Sequence, residues 1–233
     1  MSSLPRLQLV YFAVRARAEV PRMILEHGNI PYEDISPGQS FNVINWGECK
    51  QQNLAPFGQL PVLSVEGKGL IAQTGAIVRF CNTLVPQLTP EDPFKAAQAE
   101  AIYLAAEELF LVNRLVNVYR GDDHAQKKDE FFNDVFPRRI GNFARLLQQS
   151  GGPYTLGSAP HYGDFYLYHI LSNALLVKPD RLGSDKPNYW SDFMNAVEAL
   201  LGIKDYLDRR PKAVDIGVKP MLDPNICGSR VKS

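Results

Sequence analysis

Pro61-Val-Leu-Ser-Val65, Glu66-Gly67-Lys68 and Gly69-Leu-Ile-Ala72 read as two short apolar strands around a glycine-containing turn, the clearest hairpin signal in the chain. Upstream, Leu7-Gln-Leu-Val-Tyr-Phe12 is a β-rich run with partial alternation, and Tyr32 to Ile35 is a second short strand. Between them, Arg17 to Glu26 predicts a helix. Val20, Met23 and Ile24 share a face, Pro21 is tolerable only in the first turn, and Gly28 is the terminator. From Ile35 to the hairpin the sequence is irregular and rich in Gly, Asn and Gln; Ala76 to Leu84 then follows as a helix. A βαβ half is thus joined to a ββα half, which makes a small mixed α/β sheet covered by helices.

Val85-Pro-Gln-Leu-Thr-Pro-Glu-Asp-Pro93 carries three prolines in nine residues and marks a linker. Beyond it the chain reads as helix. Phe94 to Tyr119 is a long helix former, and Glu130 to Gln149 is another, with Pro137 expected to kink or interrupt it. Between these, the charged run Gly121 to Glu130 reads as a solvated connection or helix end. Phe165 to Val177, Tyr189 to Leu201 and Ile203 to Arg209 complete an all-α domain. The expected division is residues 1–85 and residues 94–233.

Composition removes several function classes. Lys+Arg and Asp+Glu balance at 25 each, which argues against a nucleic-acid binder. No apolar run reaches the length of a membrane span, and Leu7 to Val14, broken by Gln8, is too short for a signal-peptide core. Cys49, Cys81 and Cys227 are odd in number and share no close spacing, so no disulfide framework is expected and a reducing, cytoplasmic setting is the default. His27, His124, His161 and His169 form no metal-binding motif, and no metal is expected.

Three segments resemble a known family. Tyr11-Phe-Ala-Val-Arg-Ala-Arg-Ala-Glu19, Pro56-Phe-Gly-Gln-Leu-Pro-Val-Leu63 and Gln73-Thr-Gly-Ala-Ile-Val-Arg79 are similar, in order and spacing, to the three N-terminal motifs of cytosolic glutathione transferases. The tyrosine-type classes match, sigma best of all; that class includes glutathione-dependent prostaglandin D synthases. The resemblance implies a thioredoxin-like glutathione-binding domain over residues 1–85. It also implies a helical domain over residues 94–233 that forms an electrophile pocket, and a cytoplasmic homodimer. Glutathione is then the co-substrate, and small hydrophobic electrophiles are its partners.

What the resemblance implies for single residues also makes chemical sense. Tyr11 ends the first strand, and its hydroxyl would hold the glutathione thiol as a thiolate. Lowering a thiol from about 8.5 to about 6.5 takes ~2.7 kcal/mol. One hydrogen bond to a charged group contributes roughly 1.5–3 kcal/mol, so a single phenol is the right size. Arg17 matches the family arginine that tunes this site. Gly58, Gln59, Leu60 and Pro61 match the turn whose cis proline directs the backbone toward the cysteinyl part of glutathione. Gln73 and Thr74 open a helix, whose free N–H groups suit the γ-glutamyl carboxylate, although a plain N-cap reads equally well. Trp46 and Lys50 match a pair at the glycine end, and Glu108 an acid that reaches the partner subunit's glutathione. Phe57 matches an aromatic that docks on the neighbouring subunit, with a core aromatic as the alternative. Phe12, Val14, Phe110 and Tyr166 are the expected electrophile pocket.

Four departures stand out. Ala16 replaces a usual glycine, His161-Tyr-Gly-Asp164 replaces a Ser/Thr-x-x-Asp capping box, and residues 214–233 extend past most sigma-type ends. Val14 and Phe110 fit no class pattern, so the electrophile stays open. Isomerase or peroxidase chemistry on the same thiolate, or a non-catalytic ligand carrier, are the competing readings.

Overall fold

A computed structural model describes residues 4–41, 45–118, 122–177, 182, 189–213 and 230–231. The chain divides into two compact units, Met1–Leu84 with Arg209–Ser233, and Val85–Asp208. The described residues Arg209–Ala213 and Arg230–Val231 fall in the first unit, whereas the sequence reading drew one domain over residues 94–233. Residues 214–229 and 232–233 of the expected tail, with Cys227, lie outside the described residues.

In the first unit β1 (Leu7–Val10) is central, with β2 (Glu33–Ile35) parallel on one side and β3 (Val62–Val65) antiparallel on the other. β4 (Gly69–Ala72) completes the hairpin, and β5 (Arg230–Val231) pairs antiparallel with β2, giving the order β4-β3-β1-β2-β5. This is the βαβ–ββα sheet expected, extended by one short strand. α1 (Glu19–His27) follows a 3-10 turn at Ala16–Ala18 and packs beside α4 (Thr74–Leu84). Leu9, Leu63, Met23, Ile24, Ile77 and Val78 are fully buried there. Each contributes roughly 1.5–3 kcal/mol. Gly28 does end α1, but with ordinary right-handed φ; the left-handed residue is its neighbour Asn29, at φ 50°.

The segment expected to be irregular holds two short helices, α2 (Pro37–Phe41) and α3 (Trp46–Gln51). The Asn45 side chain accepts a hydrogen bond from the Glu48 N–H at 3.1 Å and caps α3. The signal was present, since Asn45-Trp-Gly-Glu48 has capping-box spacing. Cys49, Ala55, Val10, Ile35 and Val62 form a buried cluster under it.

In the helical unit α5 (Pro93–Val118) and α8 (Tyr162–Val177) pack along each other. Their seam is aromatic, with ring centroids of Tyr103 and Tyr166 at 5.2 Å and of Phe110 and Tyr166 at 5.8 Å. α6 (His124–Glu130), a π-helical turn at Phe131–Val135 and α7 (Phe136–Ser150) run on without a break. The charged run, expected as a solvated connection or helix end, is the start of a helix from His124. Pro137, expected to kink or interrupt its helix, leaves it continuous behind a π turn. A proline ring collides with the carbonyl four residues back, here Asn133. The π turn carries that carbonyl and widens the helix just before the proline, while Phe131, Phe132 and Phe136 bury their rings beneath it. α9 (Tyr189–Glu198) and α10 (Ile203–Arg209) follow.

α8 begins three residues earlier than its apolar pattern predicts because His161 caps it. Nδ1 of His161 accepts from the Gly163 N–H at 3.1 Å, and Oδ2 of Asp164 accepts from the His161 N–H at 3.0 Å. The two halves of a capping box are thus both made, with an imidazole in place of a hydroxyl. Gly163 is required there, since a Cβ would meet the Ala99 carbonyl oxygen at 3.0 Å and the His161 ring at 2.9 Å.

Candidate functional site

Sheet register assembles the site of the first unit. Val10 stands opposite Val62, and Val62 opposite Ala72. The residues that follow or precede them, Tyr11, Pro61 and Gln73, therefore emerge side by side at one end of three adjacent strands. Ile35, opposite Val10 on the other flank, accepts a hydrogen bond from the Tyr11 N–H at 3.0 Å. The three sequence motifs converge because each lies just beyond a strand end.

Around that edge the backbone is unusual. The Leu60–Pro61 bond is cis, and Ala16, Phe57, Gly58 and Gln73 have positive φ. Ala16 at φ 34° explains the glycine expected at its position; a Cβ in this region costs about 1 kcal/mol or more. Gln73, at φ 70°, donates its side-chain amide to Gln59 Oε1 at 3.4 Å and turns the chain into α4. Thr74 follows, 3% exposed, and its hydroxyl has no hydrogen-bond partner. A buried, unpaired hydroxyl at a helix start beside a left-handed residue leaves an O–H donor that a ligand's acceptor group could satisfy.

Tyr11 itself is 7% exposed, with its ring centroid 5.5 Å from that of Phe12. Phe12 in turn meets Trp46 edge-on at 6.3 Å. Trp46 and Lys50 lie one turn apart on α3, not in a loop; Trp46 is half-buried with Leu60 against the Val10–Cys49 cluster, and Lys50 is exposed. Arg17 sits half-buried on the 3-10 turn that leads into α1. Val14 is buried and forms a bridge with Ala213.

The remaining candidates belong to the helical unit. Phe110 and Tyr166 are 3% and 1% exposed, spent on the α5–α8 seam. Glu108 is exposed and accepts a hydrogen bond from Arg139 at 3.1 Å. A pocket of about 290 Å³ lies beside that pair, lined by Ala101, Ile102, Ala105, Phe143, Leu146 and Arg139. Phe57, by contrast, projects its ring from the first unit, 76% exposed. Sequence reading assigned nothing to Arg22, which donates to the Phe12, Val14 and Arg15 carbonyls, or to Arg15, which bonds the carbonyls of Pro211 and Ala213.

Among the described residues no group of three His, Cys, Asp or Glu is placed to hold a metal, and no helix is long and apolar enough to cross a membrane. Burial pushes the Cys81 thiol up to about 12 and raises that of Cys49. Neither is a thiolate nucleophile at neutral pH, which disfavours thiol–disulfide exchange.

A small mixed sheet of βαβ–ββα order covered by helices, together with an all-helical unit, is the glutathione transferase fold. Residues 111–210 match the family described as "Glutathione S-transferase, C-terminal domain". Rat hematopoietic prostaglandin D synthase is 30% identical over 212 residues, covering 90% of this chain and 98% of that protein. Its structure in complex with a quinoline superposes with a TM-score of 0.77 at 25% identity, covering 90% and 99%. The sigma-class transferase of Fasciola hepatica shares the fold, with TM-score 0.76, 23% identity and coverage of 90% and 98%. Monomeric Na-GST-3, a glutathione S-transferase of the hookworm Necator americanus, gives 0.74 at 26% identity, covering 89% and 98%. The chain belongs to the glutathione S-transferase family, and its relatives are of the sigma, prostaglandin D synthase-like type, with pi-class proteins among its neighbours.

Proposed function

We propose that this protein is a cytoplasmic glutathione transferase in which the Tyr11 hydroxyl, aided by Arg17, holds the glutathione thiol as a thiolate for attack on small hydrophobic electrophiles. The observation that carries the reading is the common strand end that joins Tyr11, Pro61 and Gln73, with the unpaired Thr74 hydroxyl beside it. Gln73, Thr74 and the first N–H groups of α4 would take the γ-glutamyl carboxylate. The Leu60 backbone, beside Gly58 and Gln59, would take the cysteinyl part, and Trp46 with Lys50 the glycine end. Of the four side chains expected to meet the electrophile, Phe12 alone is only half-buried and is our choice for that contact. Conjugation of a chlorodinitrobenzene-type substrate by wild type and Tyr11→Phe tests the reading. A loss of roughly 10- to 100-fold in kcat/KM is expected from one charged hydrogen bond. Unchanged turnover removes Tyr11 from the mechanism.

The relationship to hematopoietic prostaglandin D synthase supports a second reading, isomerase or peroxidase chemistry on the same thiolate. A panel of endoperoxide, hydroperoxide and aryl halide substrates separates the two by relative kcat/KM. For assembly we propose a homodimer in which exposed Phe57 of one copy enters the Ile102–Phe143 pocket of another and Glu108 reaches the neighbour's glutathione.

A further inference from the structure

Arg22 is among the largest fully buried side chains of the protein, 1% exposed on α1. Burying a guanidinium is costly unless every donor is matched. Here its partners fall into two groups. Nε and Nη2 grip the two carboxylate oxygens of Asp34 at 2.7 and 3.1 Å. The other donors go to backbone carbonyls: Nη1 to Val14 at 2.7 Å and, longer, to Arg15 at 3.4 Å, and Nη2 to Phe12 at 3.3 Å. All three carbonyls belong to the loop between Tyr11 and Arg17. Cζ of Arg22 also lies 5.9 Å from the Tyr11 ring centroid, within cation–π range. Glu19 Oε2, at 3.9 Å, is a further facing charge.

The loop leaves β1 after Val10 and does not become helical until Ala16; the Phe12 carbonyl takes the Val14 N–H at 2.7 Å and the Arg15 carbonyl the Ala18 N–H at 3.2 Å, with Arg22 as a second donor to each, while at the Val14 carbonyl the donor is Arg22 Nη1. Arg15 fastens it to residues 211–213, its N–H to the Ala213 carbonyl at 2.9 Å and its Nε to the Pro211 carbonyl at 2.8 Å. Arg22 fastens it to the sheet through Asp34, at the residue in register with Leu9. A planar fork, unlike an ammonium, fixes direction as well as distance.

We propose that Arg22 is a positioning residue for Tyr11: oriented by Asp34, its guanidinium sets the backbone of residues 12–15 and one side of the phenol ring, and so the direction from which the hydroxyl meets the thiol. This rests on the reading of Tyr11 as the group that activates glutathione. Arg22 acts through Tyr11 and makes no contact with substrate.

The test is a double-mutant cycle of Arg22→Lys, which keeps the charge and loses the fork, with Tyr11→Phe, read by conjugation kinetics on folded protein. Arg22→Lys is expected to lower kcat about tenfold, with the KM for glutathione changed by less than about twofold. In the Tyr11→Phe background the same substitution should cost less than about twofold, because the group it positions is gone. Losses that multiply across the cycle, an unchanged kcat in Arg22→Lys, or a loss confined to KM each overturn the proposal. If circular dichroism shows Arg22→Lys unfolded, Asp34→Asn replaces it in the cycle. That variant frees the fork while leaving the guanidinium, and a coupled loss of about threefold in kcat is expected. If Tyr11→Phe alone has no effect, the reading of Tyr11 fails; if Tyr11→Phe is impaired and the losses multiply, only the role of Arg22 does.

Discussion

Nη1 of Arg210 lies 3.2 Å from Oε1 of Glu19, so the fully buried carboxylate that begins α1 is met by a residue 191 positions later in the chain. Arg209 makes the corresponding bond to Glu26, whose other carboxylate oxygen accepts from the Tyr32 hydroxyl at 3.0 Å. Two adjacent arginines of the first unit, the last residue of α10 and its successor, thus each neutralise an acid of α1. Removing one partner of a buried pair costs about 3–5 kcal/mol, because the other charge is stranded. Arg22, 3.9 Å from Glu19, remains as a weaker partner and places the expected cost at the lower end. Arg210→Met should therefore destabilise the protein by about 3 kcal/mol in urea unfolding. A change below about 1 kcal/mol would mean that Glu19 is solvated in solution.

The cap of α8 makes stability depend on pH. Nδ1 of His161 accepts from Gly163, so the ring proton sits on Nε2 and is donated to Thr155 Oγ1 at 2.8 Å; that hydroxyl donates on to Asp164 at 2.6 Å. Burial lowers the His161 pKa from its ordinary value, with the Asp164 charge opposing. The unfolded chain therefore binds this proton at a higher pH than the folded chain does. Stability is full above about 6.5, the ordinary value, and falls as the pH drops from there toward the lower folded value. The melting temperature should decline over that window. His161→Ala should melt lower at pH 8, by about 1–2 kcal/mol for a lost cap, and should show a flatter decline below pH 6.5. An identical pH slope in the variant would show that another group titrates.

How far the sequence reached depends on distance along the chain. The hairpin was legible because Gly67 and Gly69 supply positive φ, 73° and 124°, between two apolar runs, a signal confined to twelve residues. That Tyr11, Pro61 and Gln73 belong to one site came from the family resemblance; the residues themselves told only that each stands at the end of a local element. Arg22 was not. A charged residue between Pro21 and Met23 reads as helix surface, and nothing nearby announces that Asp34 and three carbonyls await it. Arg15 and Pro211 are 196 positions apart. Phe110 and Tyr166 were recognisable as apolar but not as partners of each other, since the α5–α8 seam that buries them is a tertiary fact.

Thr74 separates binding from folding. Its hydroxyl is buried and has no partner, so Thr74→Val removes a desolvated group and keeps the shape. Stability should be unchanged or rise by up to about 1 kcal/mol. If the hydroxyl meets the γ-glutamyl carboxylate, the same change should weaken glutathione about 10- to 100-fold, the worth of one charged hydrogen bond. Calorimetric titration with glutathione and thermal melting of the free protein decide both halves. A stability loss without a change in affinity would make Thr74 a helix cap and nothing more.

Phe57 tests assembly. In the single chain its ring is 76% exposed and touches little, so Phe57→Ala should leave unfolding of a dilute monomer within about 0.5 kcal/mol. In a two-fold symmetric dimer the same residue docks twice. Burying a phenylalanine contributes roughly 1.5–3 kcal/mol, so losing two contributes about 3–6 kcal/mol to dissociation, a weakening of roughly 10²- to 10⁴-fold. Ile102→Asp, which puts a carboxylate into the receiving pocket, should act in the same direction. Glu108→Gln removes only the exposed bond to Arg139 and should alter stability by less than about 1 kcal/mol. Sedimentation velocity over a concentration series measures the association of Phe57→Ala and Ile102→Asp, and urea unfolding the stabilities of Phe57→Ala and Glu108→Gln. A wild type that stays monomeric at every concentration would remove both Phe57 and Glu108 from the site.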